Sequence, residues 1–163
     1  MKKLYFIIKC GLALLLLSFY SCKSWLNVTP SDRLSEEMLF NDREGFVKAL
    51  NGVYIELNTN ELYGRNLTAG ALDVMGQYYS VASSSHAFYN YGGLVYTGND
   101  EKALFDNMWQ KCYAVIACCN TIIEKCDENK AGLSPVWRGS IKGEALALRA
   151  MLHFDMLRLF GPL

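Results

Sequence analysis

The stretch that most constrains the fold is the last one, Ser134 to Leu163. Ser134 is placed to accept a bond from an orphan backbone N–H, and Pro135 stands where a helix needs no N–H to donate. Ile141, Ala145, Leu148, Leu152 and Leu159 recur at helical spacing, and Ala150, Met151, Phe154 and Met156 widen the apolar face. Gly161 supplies a left-handed ending, and Pro162 forbids continuation. The pattern predicts a long helix that needs cover on more than one side. Such a helix is a central packing element, with the preceding helix as its first neighbour.

Upstream, Asn41 or Asp42 is set to cap an amphipathic helix with Phe46, Ala49, Leu50, Val53, Tyr54 and Leu57 on one stripe. Asn58-Thr-Asn60 breaks it. A weaker helix is expected over 62–75, interrupted by Gly64 and Gly70. Asn99 or Asp100 caps a third long helix, Glu101 to about Cys126, with Leu104, Phe105, Met108, Trp109, Cys112, Tyr113, Ile116, Asn120 and Ile123 inward. Residues 127–133 turn the chain into the last helix. Four helices and no convincing core strand make the fold class all-α. The chain has 163 residues, 52% of them apolar and 20% charged, which suits one globular domain.

The N-terminus reads as a targeting segment. Lys2, Lys3 and Lys9 give a positive start, and Cys10 to Tyr20 is an uncharged apolar run of 11 residues. That is a signal-peptide length, short of the ~20 residues a spanning helix needs. The run ends in Ser18-Phe-Tyr-Ser-Cys22, which looks like a bacterial lipobox whose cysteine becomes the acylated first residue. The organisation expected is a signal peptide over 1–21 and a mature helical domain over 22–163, lipid-anchored at Cys22. The alternative is a plain secretory signal with an incidental cysteine. Without residues 1–21, 13 basic side chains face 16 acidic ones, a net charge of −3 that gives no support to nucleic-acid binding.

Four cysteines follow Cys22: Cys112, Cys118, Cys119 and Cys126. Three of them recur every seven residues on one expected helix, so neighbours in that series are roughly 10 Å apart, too far for a disulfide or a shared metal. They read as a small apolar stripe in a helix–helix seam. No CxxC occurs, and His86 and His153 have no ligand cluster near them. No metal site or cofactor is expected.

Residues 76–98 change character. Tyr78, Tyr79, Phe88, Tyr89, Tyr91 and Tyr96 are interleaved with Ser83-Ser-Ser-His86 and Gly92-Gly93. A loop this long inside a compact domain is usually functional or disordered, and its aromatic content argues against disorder. Sugar rings offer an apolar C–H face and a hydroxyl edge, so their sites pair flat aromatic rings with carboxylates, amides or guanidinium groups. This insertion holds that mixture, with Asn90, Asn99 and Asp100 beside the tyrosines. The plainer alternative is that most of these tyrosines pack the loop onto the helices.

The two C-terminal helices also carry a resemblance. Trp109, Tyr113, Ile116, Asn120 and Ile123 are followed by Gly143-Glu-Ala145, Arg149-Ala150, Phe154, Leu157, Leu159 and Phe160-Gly-Pro162. Together with the lipobox, the leader Leu26-Asn-Val-Thr-Pro30-Ser-Asp32 and Ala49-Leu-Asn-Gly-Val-Tyr54, this resembles the N-terminal region of the SusD/RagB outer-membrane lipoproteins. The resemblance implies tetratricopeptide-like helix pairs, with Ala145, Ala147 and Ala150 as small residues at crossings. It implies a surface-exposed, lipid-anchored subunit that binds oligo- or polysaccharide and delivers it to a SusC-like TonB-dependent transporter. Asp73 resembles an acidic residue the family often has at that place, and Trp109 a structural tryptophan. Family members are usually several times longer, so a fragment is expected.

The glycan-binding candidates are therefore Asp73, Tyr78, Tyr79, Tyr89, Tyr91, Tyr96 and Asn99, and no residue is assigned a catalytic role. Glu144 and Arg149 are expected to bond to neighbouring helices. A glycoside hydrolase needs two carboxylates facing each other across a sugar, and Asp73, Asp100 and Asp106 show no spacing that singles out a pair. A helical scaffold that binds only protein, with the tyrosines as anchors, is the other alternative.

Overall fold

The computed structural model describes residues 36–161. The signal segment, the anchor at Cys22, the leader and Pro162 lie outside the described residues. Six helices occur among the described residues: α1 Glu36–Leu39, α2 Arg43–Leu57, α3 Ala71–Met75, α4 Tyr89–Gly92, α5 Asn99–Glu128 and α6 Pro135–Phe160. The described residues contain no strand.

α5 and α6 form an antiparallel hairpin. Trp109 meets Phe160, Tyr113 meets His153 and Asn120 meets Arg149, the partner number falling as the other rises. The α5 seam is Met108, Cys112, Val115, Cys119, Ile122 and Cys126, all buried at alternating spacings of four and three. That rhythm keeps one narrow stripe facing a partner helix. Cys112, Cys119 and Cys126 are free thiols within it, and Cys118 is exposed on the other side. Burial pushes the Cys112 thiol up to about 12 and the Cys119 thiol up to about 11.

Opposite this stripe α6 buries Ile141, Ala145, Leu148, Leu152 and Met156. The wider apolar face is not covered among the described residues. Leu146, Met151, Phe154 and Leu157 are exposed, and so are Ala147 and Ala150. Of the three alanines expected at crossings, only Ala145 is buried. The cap is as the sequence predicts: Ser134 accepts from the Trp137 N–H, with Pro135 at the first position. Gly161 follows at φ 83°.

α2 lies across this hairpin, burying Phe46, Leu50, Val53 and Leu57. Asp42 caps it, its Oδ1 accepting from the Gly45 N–H at 2.8 Å. Gly45 has no alternative residue, because a Cβ there would lie 1.5 Å from the Leu39 carbonyl oxygen that ends α1. Tyr54 donates to Glu144, and Arg149 donates to Asn120 at 2.8 Å, so both α6 side chains bond to neighbouring helices. Asn120 is exposed and not inward, because it bonds across the outer edge of the seam.

The expected helix over 62–75 is reduced to α3. Residues 59–70 instead coil through wide turns, with Tyr63 N–H donating to Leu57, Asn66 N–H to Asn60 and Leu72 N–H to Asn66. The glycines allow this: a Cβ at Gly64 would lie 2.4 Å from the Asn58 carbonyl oxygen, and one at Gly70 2.6 Å from that of Arg65. The coil drops Leu62 and Leu67 into the core, and Tyr63 donates to Asp155 of α6. α5 begins at Asn99, after Gly98, and ends at Asn129 in the left-handed conformation.

Candidate functional site

Residues 71–98 fold against the start of α5 as a small second core. Ala71, Val74, Phe88 and Tyr91 are buried together, with Tyr96 and Phe105 packed on them. Tyr91 meets Phe88, Tyr96 and Phe105 with ring centroids 5.9–6.3 Å apart. Burial pushes the Tyr91 hydroxyl up to about 12 and also raises Tyr96. Tyr91 is only 1% exposed, so its ring packs this small core and offers almost no surface, unlike the exposed candidates. Tyr96 is half-buried for the same reason. Asn99 sits exposed on the first turn of α5 and lines neither cleft described below.

The remaining candidates fall on two sides of one ridge, the segment 76–79. On one side is an open cleft of about 540 Å³, lined by Gln77, Tyr79, Ser80, Tyr89, Asn90 and Val95, among others. That volume lies within the ~300–1,000 Å³ of small-molecule clefts. Tyr79 and Tyr89 are each roughly two-fifths exposed, at 41% and 43%. The Tyr79 hydroxyl donates to the Ala69 and Gly70 carbonyls, which pins the ring to the coil. Asn90 donates from Nδ2 to Glu101 Oε1 at 2.7 Å, leaving its amide oxygen unpaired among the described residues. That bond, with Glu101's own N–H, holds the Glu101 carboxyl below the usual carboxylate range.

The walls of this cleft are held by strained backbone. Gln77 has φ 59° and Leu94 φ 55°, a region that costs an L-residue with a side chain roughly 1–2 kcal/mol. Gln77 reaches from one wall to the other, Nε2 donating to the Gly92 carbonyl at 3.4 Å. Left-handed φ at Gln77 turns the chain so that Tyr78 and Tyr79 fall on opposite sides. Sequence reasoning missed Gln77, whose only signal was the glycine beside it.

On the other side of the ridge a cleft of about 470 Å³ is lined by Asp73, Met75, Gly76, Tyr78, Arg158 and Leu159, among others. Asp73 and Tyr78 were expected to act with the other tyrosines, but the ridge separates them. Arg158, 85 positions beyond Asp73, enters from α6 with no signal in the sequence. No group of three or more metal-ligating side chains occurs among the described residues. No described helix is long and apolar enough to cross a membrane.

Residues 24–163 match the SusD-like family described as "Starch-binding associating with outer membrane". The chain belongs to that family. Among curated proteins, this SusD-like chain is similar to SusD-like protein P2 of Formosa agariphila, at 25% identity over 160 residues. The match covers 95% of this chain, and the chain spans about 30% of that relative's length. No solved structure matches it.

Proposed function

We propose that this SusD-like chain captures oligo- or polysaccharide at the outer membrane and passes it to a TonB-dependent transporter, without cutting it. The observation that carries the reading is the first cleft, where Tyr79 and Tyr89 offer ring faces beside the amides of Gln77 and Asn90. Aromatic faces take the C–H side of a sugar, and amides take its hydroxyls in pairs. The family's description points to starch as the first polysaccharide to try. The helix hairpin of α5 and α6 would be one unit of a tetratricopeptide-like stack that holds this cleft rigid.

The test is retardation of the protein in native gels containing amylopectin or another polysaccharide. Tyr89→Ala should weaken retention about tenfold, as loss of an aromatic anchor does. Equal retention of the variant and the parent would remove the first cleft from the argument, and new reducing ends in the polysaccharide would mean hydrolysis. The proposed anchor is tested separately. Cys22→Ala, which removes the acylation site, should release the protein from membranes or leave the signal uncleaved, and identical membrane fractionation and processing of variant and parent would refute the anchor.

A second reading rests on the outer face of α6, where Leu146, Met151, Phe154 and Leu157 are exposed on one helix. A protein-binding scaffold would use that face. Retention by a transporter but by no polysaccharide would favour it.

A further inference from the structure

We propose that the second cleft is a separate sugar subsite, and that Asp73 and Arg158 together grip a vicinal diol of a neutral sugar ring lying on Tyr78. The inference rests on the glycan reading above. Asp73 is half-buried in α3, and its carboxylate bonds no other described residue. Asp73 lines the cleft with both carboxylate oxygens free to accept, and a ligand hydroxyl pair is what they can accept from.

Arg158 lines the same cleft but forms no ion pair with Asp73. It is held from behind. Its Nη1 lies 3.5 Å from Asp155 Oδ1, its guanidinium carbon lies 5.4 Å over the Phe154 ring, and Asp155 in turn accepts from Tyr63. With one nitrogen engaged, the rest of the planar fork has no partner among the described residues. An acceptor carboxylate and a donor fork on one cleft suit two adjacent hydroxyls, each of which both donates and accepts.

The third element is the ring. Tyr78 is 84% exposed, far more than a packing residue. It lies down on Gly76, where a Cβ would come within 3.2 Å of ring carbons Cδ2 and Cε2. Glycine at 76 thus lets the ring rest on the backbone and show its outer face to the cleft. Met75 and Leu159 supply further apolar wall. Asp73 and Asp155 outnumber Arg158, so the local field disfavours a carboxylate- or sulfate-bearing sugar.

The experiment uses the detergent-solubilised full chain in native gels containing amylopectin, galactomannan, xylan or polygalacturonate. In a neutral gel that retards the parent, Asp73→Asn and Arg158→Lys should each weaken retention about tenfold, the size of one charge-assisted contact. Gly76→Ala should weaken it less, by tilting the ring. Melting midpoints of all three should stay within a few degrees of the parent's. Retention of the parent in no gel overturns the glycan reading and this subsite with it. Retention that all three variants leave unchanged overturns the subsite alone. Tightest retention by polygalacturonate, weakened by Arg158→Lys and strengthened by Asp73→Asn, replaces the neutral diol with an acidic sugar.

Discussion

Leu152→Ala tests which face of α6 is the core. Leu152 is fully buried against the α5 cysteine stripe, its own carbonyl facing Cys112 Sγ at 3.9 Å. The substitution removes three carbons, worth roughly 2.4 kcal/mol at ~0.8 kcal/mol per buried carbon. A cavity adds to this, because the seam cannot fully close, so the expected loss is about 3–4 kcal/mol. A small domain has only ~5–15 kcal/mol in total, so the change takes a large share. Leu157→Ala, five residues on and 48% exposed, is the internal control and should cost under about 0.5 kcal/mol. Urea unfolding followed by far-UV circular dichroism reads both, with unchanged slopes as the sign of an intact two-state transition. Equal losses at 152 and 157 would refute the reasoning. They would mean that both faces of α6 are packed.

Three further outcomes follow from the same structure. Thiol alkylation of the native chain should label Cys118 before Cys112, Cys119 and Cys126, which should react only on unfolding; early labelling of Cys112 would contradict the seam. The folded thiols of Cys112 and Cys119 deprotonate later than unfolded ones, so the folded state holds protons that the unfolded state has released. Stability should therefore be level below about 9 and fall as pH rises toward about 11–12, and Cys112→Ala should flatten that fall in urea midpoints. Leu94→Gly should relieve roughly 1–2 kcal/mol of left-handed strain against an unfolded-state entropy cost of roughly 0.5–1 kcal/mol, so the melting midpoint should hold or rise, and a clearly lower one would show that the Leu94 side chain holds the loop.

The long helices were legible in the sequence because each carries a buried stripe at helical spacing, and α2 and α6 also state their beginnings. α5 starts instead after Gly98, with no side-chain cap where Asn99 or Asp100 was expected. Asp42, Ser134, Pro135 and Gly161 act locally, and a seven-residue cysteine period needs no partner to be recognised. The all-α class and the family follow from the same residues. Tertiary structure decided what depends on distant neighbours. Gly64 and Gly70 read as weak points in a helix, yet they are places where backbone crosses backbone closely. The tyrosines look alike in sequence, and only packing distinguishes Tyr91, sealed under Phe105, from Tyr78, open on its ridge. Arg158 joins Asp73 because the α5–α6 hairpin returns the chain to the same cleft. Local chemistry is written residue by residue, but a binding cleft is a relation between segments, and folding supplies it.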